Sequence, residues 1–278
     1  MINFANSEIF MVGTFATIVM SRDILGHQPN TPNLHGFTLL YSMLFCLLAS
    51  MLASGVTAVI VELVAYRRLR SRGTNRLAPL ISAIGMSIVL SESVSLLTAG
   101  RAVIAPELLH KSSLFTILGA NIRVDQLLVF IVAPIMFFGL QRFVNHTRLG
   151  KGIRAVSMNE ETAKLMGVNL NRVISITFLI GGLMTGAAAF FFETVYEATK
   201  FNIGFNIGIA AFTAAVLGGI GNIRGAFVGG LVLGLLETYA SAVLGSQWKA
   251  ITVFVVLVLV LLVRPNGLFG EAIQQSRV

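Results

Sequence analysis

The stretch FTLLYSMLFCLLASMLASGVTAVIVE, residues 37–62, decides the fold class, because no Asp, Glu, Lys, Arg or His interrupts it before Glu62. As an α-helix it would run about 39 Å, beyond the roughly 30 Å hydrocarbon core of a bilayer. Seven further apolar runs lie at about 3–20, 78–98, 126–144, 173–192, 205–219, 226–244 and 249–263. The run at 205–219 is short and flanked by glycine, and reads as a broken or re-entrant helix. Composition agrees: of 278 residues 55% are hydrophobic and 12% charged, where a soluble domain carries about a quarter as Asp, Glu, Lys and Arg. The expected fold is therefore all-α, a polytopic transmembrane bundle of about eight spans forming one domain over residues 1–278. Soluble, fibrous and disordered classes are excluded. The opening Met1-Ile2-Asn3-Phe4 lacks a basic region, so no signal peptide is expected.

The net charge of +8 becomes informative once it is placed on that map. Arg67, Arg68, Arg70, Arg72 and Arg76 share one loop; Arg142, Arg148, Lys151, Arg154, Lys164 and Arg172 share another on the same side; Arg224, Arg264 and Arg277 fall there too. The opposite side holds Arg22, Arg101, Lys111, Arg123, Lys200 and Lys249. Basic residues collect in cytoplasmic loops, so the crowded side and the C-terminus are expected in the cytoplasm of a bacterial plasma membrane. Charge here sets orientation, and a nucleic-acid partner is excluded.

Four carboxylates stand inside the apolar runs: Glu8, Glu62, Glu92 and Glu237. Burying them is costly. Glu62 lies about a turn from Arg67 and Arg68 and is expected to snorkel to the interface. Glu92 and Glu237 are expected to face the bundle interior, as structural hydrogen-bonding groups or as pathway lining. No relay of Asp, Glu and His crosses the membrane, which disfavours a proton-coupled pump. Glycines four apart, at 221, 225 and 229, at 230 and 234, at 182 and 186, and at 204 and 208, predict close helix packing. The single cysteine, Cys46, has no disulfide partner. No HExxH, paired Cys-x-x-Cys or Ser-His-Asp pattern is present, so neither a cofactor nor a catalytic site is expected.

The segment of about 145–172 is the longest aqueous one. Ser157-Met158-Asn159-Glu160 fits a capping box. Glu160 and Glu161 suit the first turn of a helix and Lys164 its last, and Gly167 a left-handed C-cap. The predicted helix runs about 158–166, too short to stand alone in water. Its apolar residues Met158, Thr162, Leu165 and Met166 must dock, either on its own bundle or on a cytosolic partner.

Arg154-Ala155-Val156 and Asn159-Glu160-Glu161-Thr162-Ala163-Lys164-Leu165-Met166-Gly167-Val168-Asn169 resemble the cytoplasmic loop of ATP-binding-cassette importer permeases for branched-chain amino acids. Ile2-Asn3-Phe4-Ala5 with Glu8 and Met11-Val12-Gly13 is similar to that family's N-terminal signature. Ala65-Tyr66-Arg67 and Arg76-Leu77-Ala78-Pro79-Leu80-Ile81-Ser82-Ala83-Ile84-Gly85 resemble its first cytoplasmic loop and following helix. Ala211-Phe212-Thr213-Ala214-Ala215-Val216-Leu217-Gly218-Gly219-Ile220-Gly221 and Arg264-Pro265-Asn266-Gly267-Leu268-Phe269-Gly270 complete a likeness over nearly the whole chain, favouring the H-type of the two permease subunits.

The resemblance implies a second, homologous permease, two cytosolic ATPases and an extracytoplasmic amino-acid-binding protein as partners, with ATP hydrolysis on the separate ATPase chains. It makes the segment Ser157, Met158, Asn159, Glu160, Glu161, Thr162, Ala163, Leu165, Met166 and Gly167 the ATPase-coupling element, and it puts Asn3, Glu8, Glu92 and Glu237 forward as pathway residues. Two departures stand out. Asn6-Ser7 replaces a usual His-Gly, and the family carries a further apolar helix ahead of the signature with which this chain begins, so an upstream helix is expected. The rival readings are a permease for urea or simple sugars, an ion-coupled secondary transporter, which would be expected to show broken-helix repeats and midplane ion ligands, and a membrane scaffold, which leaves the capped helix unexplained.

Overall fold

The computed structural model describes residues 5–27, 36–71, 77–109, 111, 113–117 and 120–270. Its helices are α1 (Asn6–Val19), α2 (Phe37–Val61), α3 (Arg68–Ser71), α4 (Leu77–Thr98), α5 (Val124–His146), α6 (Arg148–Met158), α7 (Glu160–Leu165), α8 (Leu170–Tyr196), α9 (Ile203–Gly218), α10 (Ile223–Leu244) and α11 (Lys249–Val263). Wider π-type turns extend α1 over Met20–Ile24 and join α2 to α3 over Glu62–Arg67. Residues 67–71, expected as loop, are thus helical. Arg72, Arg76 and Arg277 lie outside the described residues, as does Asn3.

Among the described residues, six helical stretches are long and apolar enough to cross a membrane: Phe37–Arg70, Ala78–Thr98, Val124–His146, Leu170–Tyr196, Ile223–Leu244 and Ser246–Val263. The other two expected spans are not among them. α1 with its π-type extension runs over Asn6–Ile24 and carries Glu8, Arg22 and Asp23, whereas α9 has 16 residues, about 24 Å at the helical rise against a core of about 30 Å. The helical architecture is as expected, and among the described residues four short strands accompany it, β1 (Val103–Ile104), β2 (Ser113–Ile117), β3 (Ala120–Arg123) and β4 (Ala198–Thr199), pairing antiparallel as β1 with β4 and β2 with β3. They lie in the polar connections between apolar helices, where the backbone has no helical partners and strand pairing satisfies it.

The chain forms two compact units, Met1–Gly204 and Phe205–Val278. In the first, α1 is the most enclosed element: Glu8, Ile9, Phe10, Met11, Gly13, Thr14, Thr17 and Ile18 are all buried. Small residues bring α2 and α8 against it. Ser54 Oγ donates to the Ile9 carbonyl at 3.1 Å, and Ser50 Oγ donates to those of Gly13 and Gly186 at 2.9 and 2.7 Å. Position falls along α2 as it rises along α1 and α8, so α2 runs antiparallel to both. A Cβ on Gly182 would meet the Ser54 carbonyl oxygen at 2.7 Å, and one on Gly186 would collide with the Ser50 carbonyl. Gly186→Ala is therefore expected to destabilise the protein by about 1–3 kcal/mol through overpacking. Thermal unfolding of the purified permease checks this, and an unchanged midpoint would contradict the packing.

The second unit holds α9, α10, a 3₁₀ turn at Ser246–Trp248 and α11. Gly225 and Gly229 press on the backbone of Gly218 and Ala214. Residues 264–270 fold back over the end of α9. The Leu268 and Phe269 amides donate to the Leu217 and Gly218 carbonyls at 2.8 and 3.1 Å, and Asn222 Nδ2 donates to the Phe269 carbonyl at 3.0 Å. The Arg264–Gly270 motif thus satisfies carbonyls that a helix end leaves open. Gly267, with φ +76, abuts Gly219 so closely that no side chain fits there. By contrast, Gly230 and Gly234 meet nothing within 4 Å.

Candidate functional site

The basic segment contains two helices where one was expected. Thr147 caps α6, its Oγ1 accepting from the Gly150 amide at 3.0 Å. Asn159 caps α7, its Oδ1 accepting from the Thr162 amide at 2.9 Å, and Asn169 caps α8 likewise, accepting from the Arg172 amide at 3.1 Å. Ser157 is not the cap. Its hydroxyl donates to the Arg154 carbonyl inside α6, and Met158 is the last residue of that helix. The correction has a local cause: α6 runs through 158, and extended Asn159 (φ −155, ψ 116) then starts the next helix. Asparagine caps as well as serine.

The far end of α7 closes as expected. Gly167 has φ +80, its amide donates to Lys164 at 3.1 Å, and the Val168 amide donates to Ala163 at 3.0 Å. This is the paired bonding of a Schellman end. Glu160 and Glu161 stand in the first turn and Lys164 in the last, each favourable to the helix dipole. Only Ala163 is buried, whereas Met158, Leu165 and Met166 are 88%, 88% and 80% exposed. α7 is therefore seated on α6 and α8 through a small residue, with its large apolar side chains turned outward.

The carboxylates divide sharply. Glu62, expected to snorkel, is fully buried: Arg70 Nη2 approaches Oε1 at 3.2 Å, and Ser175 Oγ donates to Oε2 at 2.8 Å. The same guanidinium nitrogen donates to Asn171 Oδ1 at 2.7 Å, tying α3 to the start of α8. Glu8 is 3% exposed; Ser87 Oγ of α4 donates to its Oε1 at 3.2 Å, and Gly204 lies against its Oε2. Asn6 Nδ2 donates to Thr185 Oγ1 at 3.2 Å. Thr185 is 15 residues into α8, so α1 and its carboxylate begin about 22 Å along that helix.

Glu92 corrects the expectation that it faces the interior, because it is exposed. The packed face of α4 carries Ala83, Ser87 and Ser91 every four residues, and Glu92 lies off it. Glu237 is half-buried, in register with the buried Gly225, Gly229 and Leu233 of α10.

Two buried acids are absent from the sequence reading: Asp125, which is paired with Arg123 at the start of α5, and Glu193. Glu193 is 1% exposed and its carboxylate has no hydrogen-bond partner among the described residues. The apolar run 173–192 stops one residue short of Glu193, yet Gly182, Gly186, Ala189 and Glu193 share one helical stripe, which is the signal the sequence offers. One turn on, Glu197 pairs with Lys111 at 2.7 Å. Nearby, Thr14 and Thr199 hydroxyls lie 2.8 Å apart. Among the described residues, no group of three or more His, Cys, Asp or Glu side chains is placed to hold a metal ion.

Comparison with known proteins gives this arrangement its context. A branched-chain amino acid transport permease, BraD of Pseudomonas aeruginosa, is 40% identical over 98% of this chain and 86% of its own length. The permease LivH of Escherichia coli K12 is 37% identical over the same shares. The ribose import permease RbsC of Escherichia coli K12 is 30% identical over 48% of this chain and 43% of its own. No solved structure matches. Residues 1–263 match the family described as branched-chain amino acid transport system / permease component, and the chain belongs to that family.

Proposed function

We propose that the chain is a transmembrane permease subunit of an ATP-binding-cassette importer for branched-chain amino acids. It forms the translocation path with a second, homologous permease. Two cytosolic ATPases drive it and an extracytoplasmic binding protein delivers the amino acid. The observation that carries the coupling is α7: a helix closed at both ends, anchored through Ala163 and showing Leu165 and Met166 to solvent. ATP binding on the ATPases moves this docked helix, and α6 and α8 carry the movement into the first unit. Such a switch works only if the ATPases contact the two states differently.

The amino-acid reading is supported over a sugar by extent of likeness, nearly the whole chain against about half. Uptake of labelled leucine by vesicles holding the complete importer tests it. Unlabelled isoleucine and valine are expected to compete, and ribose and urea are not; competition by ribose alone would overturn the substrate assignment.

Glu8 is the pathway residue that the packing favours, since its carboxylate is held deep inside the unit. Glu92, a charge exposed on an apolar helix, is costly in lipid, and this supports seating the second permease on that face of α4.

The basic helix ends are cytoplasmic in this reading. The Arg70–Asn171 hydrogen bond supports it by joining the two richest basic clusters at one end of the unit. Thr162→Cys is expected to resist an impermeant thiol reagent in sealed right-side-out vesicles and to react once they are opened. The native Cys46 is buried and adds little background. Labelling of Thr162→Cys in sealed vesicles would reverse the topology.

A further inference from the structure

Between α6 and the start of α8 lies an open groove of about 770 Å³. Arg148, Lys151 and Arg172 edge it, and Gly152, Val168 and Val173 form its apolar part. The three cations are exposed, and none is ion-paired with a carboxylate among the described residues. Like charges brought together this way repel unless an anion lies among them. Gly152 keeps the groove open: a Cβ there would stand 3.3 Å from Val173 Cγ2 and 3.9 Å from Val168 Cγ1.

Depth identifies the anion. Only Thr147 separates the end of α5 from α6, and Gly150 is pressed on the Phe143 and Val144 carbonyls. α8 begins at Leu170, beside the groove. The cations therefore stand level with the ends of two apolar spans, where a bilayer places its headgroups. Leu149, 37% exposed at the groove, offers an apolar contact at the same level. Basic pockets in this position suit acidic lipid headgroups. The large apolar side chains that α7 turns outward, Leu165 and Met166, are not part of the groove.

We propose that this groove binds the phosphate headgroup of an anionic phospholipid of the phosphatidylglycerol class. Arg148, Lys151 and Arg172 hold the phosphate, and the glycerol end rests on the apolar strip beside Gly152. The site needs neither substrate nor ATP.

The test reads lipid contact at the groove itself. Leu149→Trp is prepared in a Trp248→Phe background, and the permease pair is reconstituted in phosphatidylcholine and phosphatidylglycerol in equal parts. Only one lipid class at a time carries brominated chains, and quenching is taken as the difference from the pair without Leu149→Trp. Brominated phosphatidylglycerol is expected to quench more strongly than brominated phosphatidylcholine. Lys151→Gln should weaken that preference about five-fold, the effect of one basic residue near an acidic surface. Arg148→Gln, Lys151→Gln and Arg172→Gln together should abolish it. If the triple variant does not fold, the exposed Lys151→Gln alone decides, and a preference unchanged by it overturns the site. Equal quenching by both lipids overturns it, as does a preference erased by inorganic phosphate, which would mark a free-anion site. Loss of quenching by both lipids when the ATPases are added would make the groove part of their seat, and also overturns the proposal.

Discussion

The Leu165→Asp permease is expected to fold, to insert and to lose uptake. Leu165 is 88% exposed, so aspartate there costs the isolated chain little. The cost appears on docking, when the side chain must leave water without a partner, and it exceeds about 3 kcal/mol, more than a hundredfold in affinity. Asn159→Ala is the graded control. It removes the hydrogen bond to the Thr162 amide and should cost about 1 kcal/mol of helix stability, weakening uptake without abolishing it. Pull-down of the ATPases by the purified permease pair, with uptake measured alongside, checks both. ATPase binding and uptake at wild-type levels in Leu165→Asp would remove α7 as the coupling element.

Arg70→Ala is expected to be the most damaging change to stability. Glu62 is fully buried, and Arg70 is the cation the structure gives it. Breaking a buried pair from one side costs about 3–5 kcal/mol, because the remaining charge has no compensation. The variant also loses the Asn171 contact that joins α3 to α8. Thermal unfolding of the purified permease should show a large drop, or too little folded protein to measure. Adding Glu62→Gln should recover part of it by removing the stranded charge while leaving an acceptor for Ser175. A double variant no more stable than Arg70→Ala would mean that the Asn171 tie, and not the charge pair, is what matters.

The short capped helix at 160–165 was legible in the sequence because its signals are local. Acidic residues in a first turn, a lysine in the last and a glycine after it satisfy backbone groups within a few residues. Even so, the start was misplaced, since Ser157 and Asn159 are both good caps and only the run of α6 through Met158 chooses between them. The buried acids were less legible. Glu62 looked close to Arg67 and Arg68, yet its partner is Arg70, because a π-type turn at Glu62–Arg67 changes which side chains share a face. Glu193 lies just beyond the span that hydropathy delimits, and hydropathy marks depth without saying which way a side chain points.

Sequence alone determined that the chain is an integral membrane protein, where its apolar helices lie, and that a closed short helix interrupts the basic segment. These follow from transfer free energy and backbone hydrogen bonding, which act along the chain. Tertiary structure alone decided that α1 is the enclosed helix, that Glu8 and Glu193 are inside while Glu92 is outside, and that Arg70 reaches both Glu62 and Asn171. Every residue of an apolar helix satisfies the bilayer equally well, so composition cannot rank its faces. The ranking comes from where Ser50, Ser54, Gly182 and Gly186 let backbones touch.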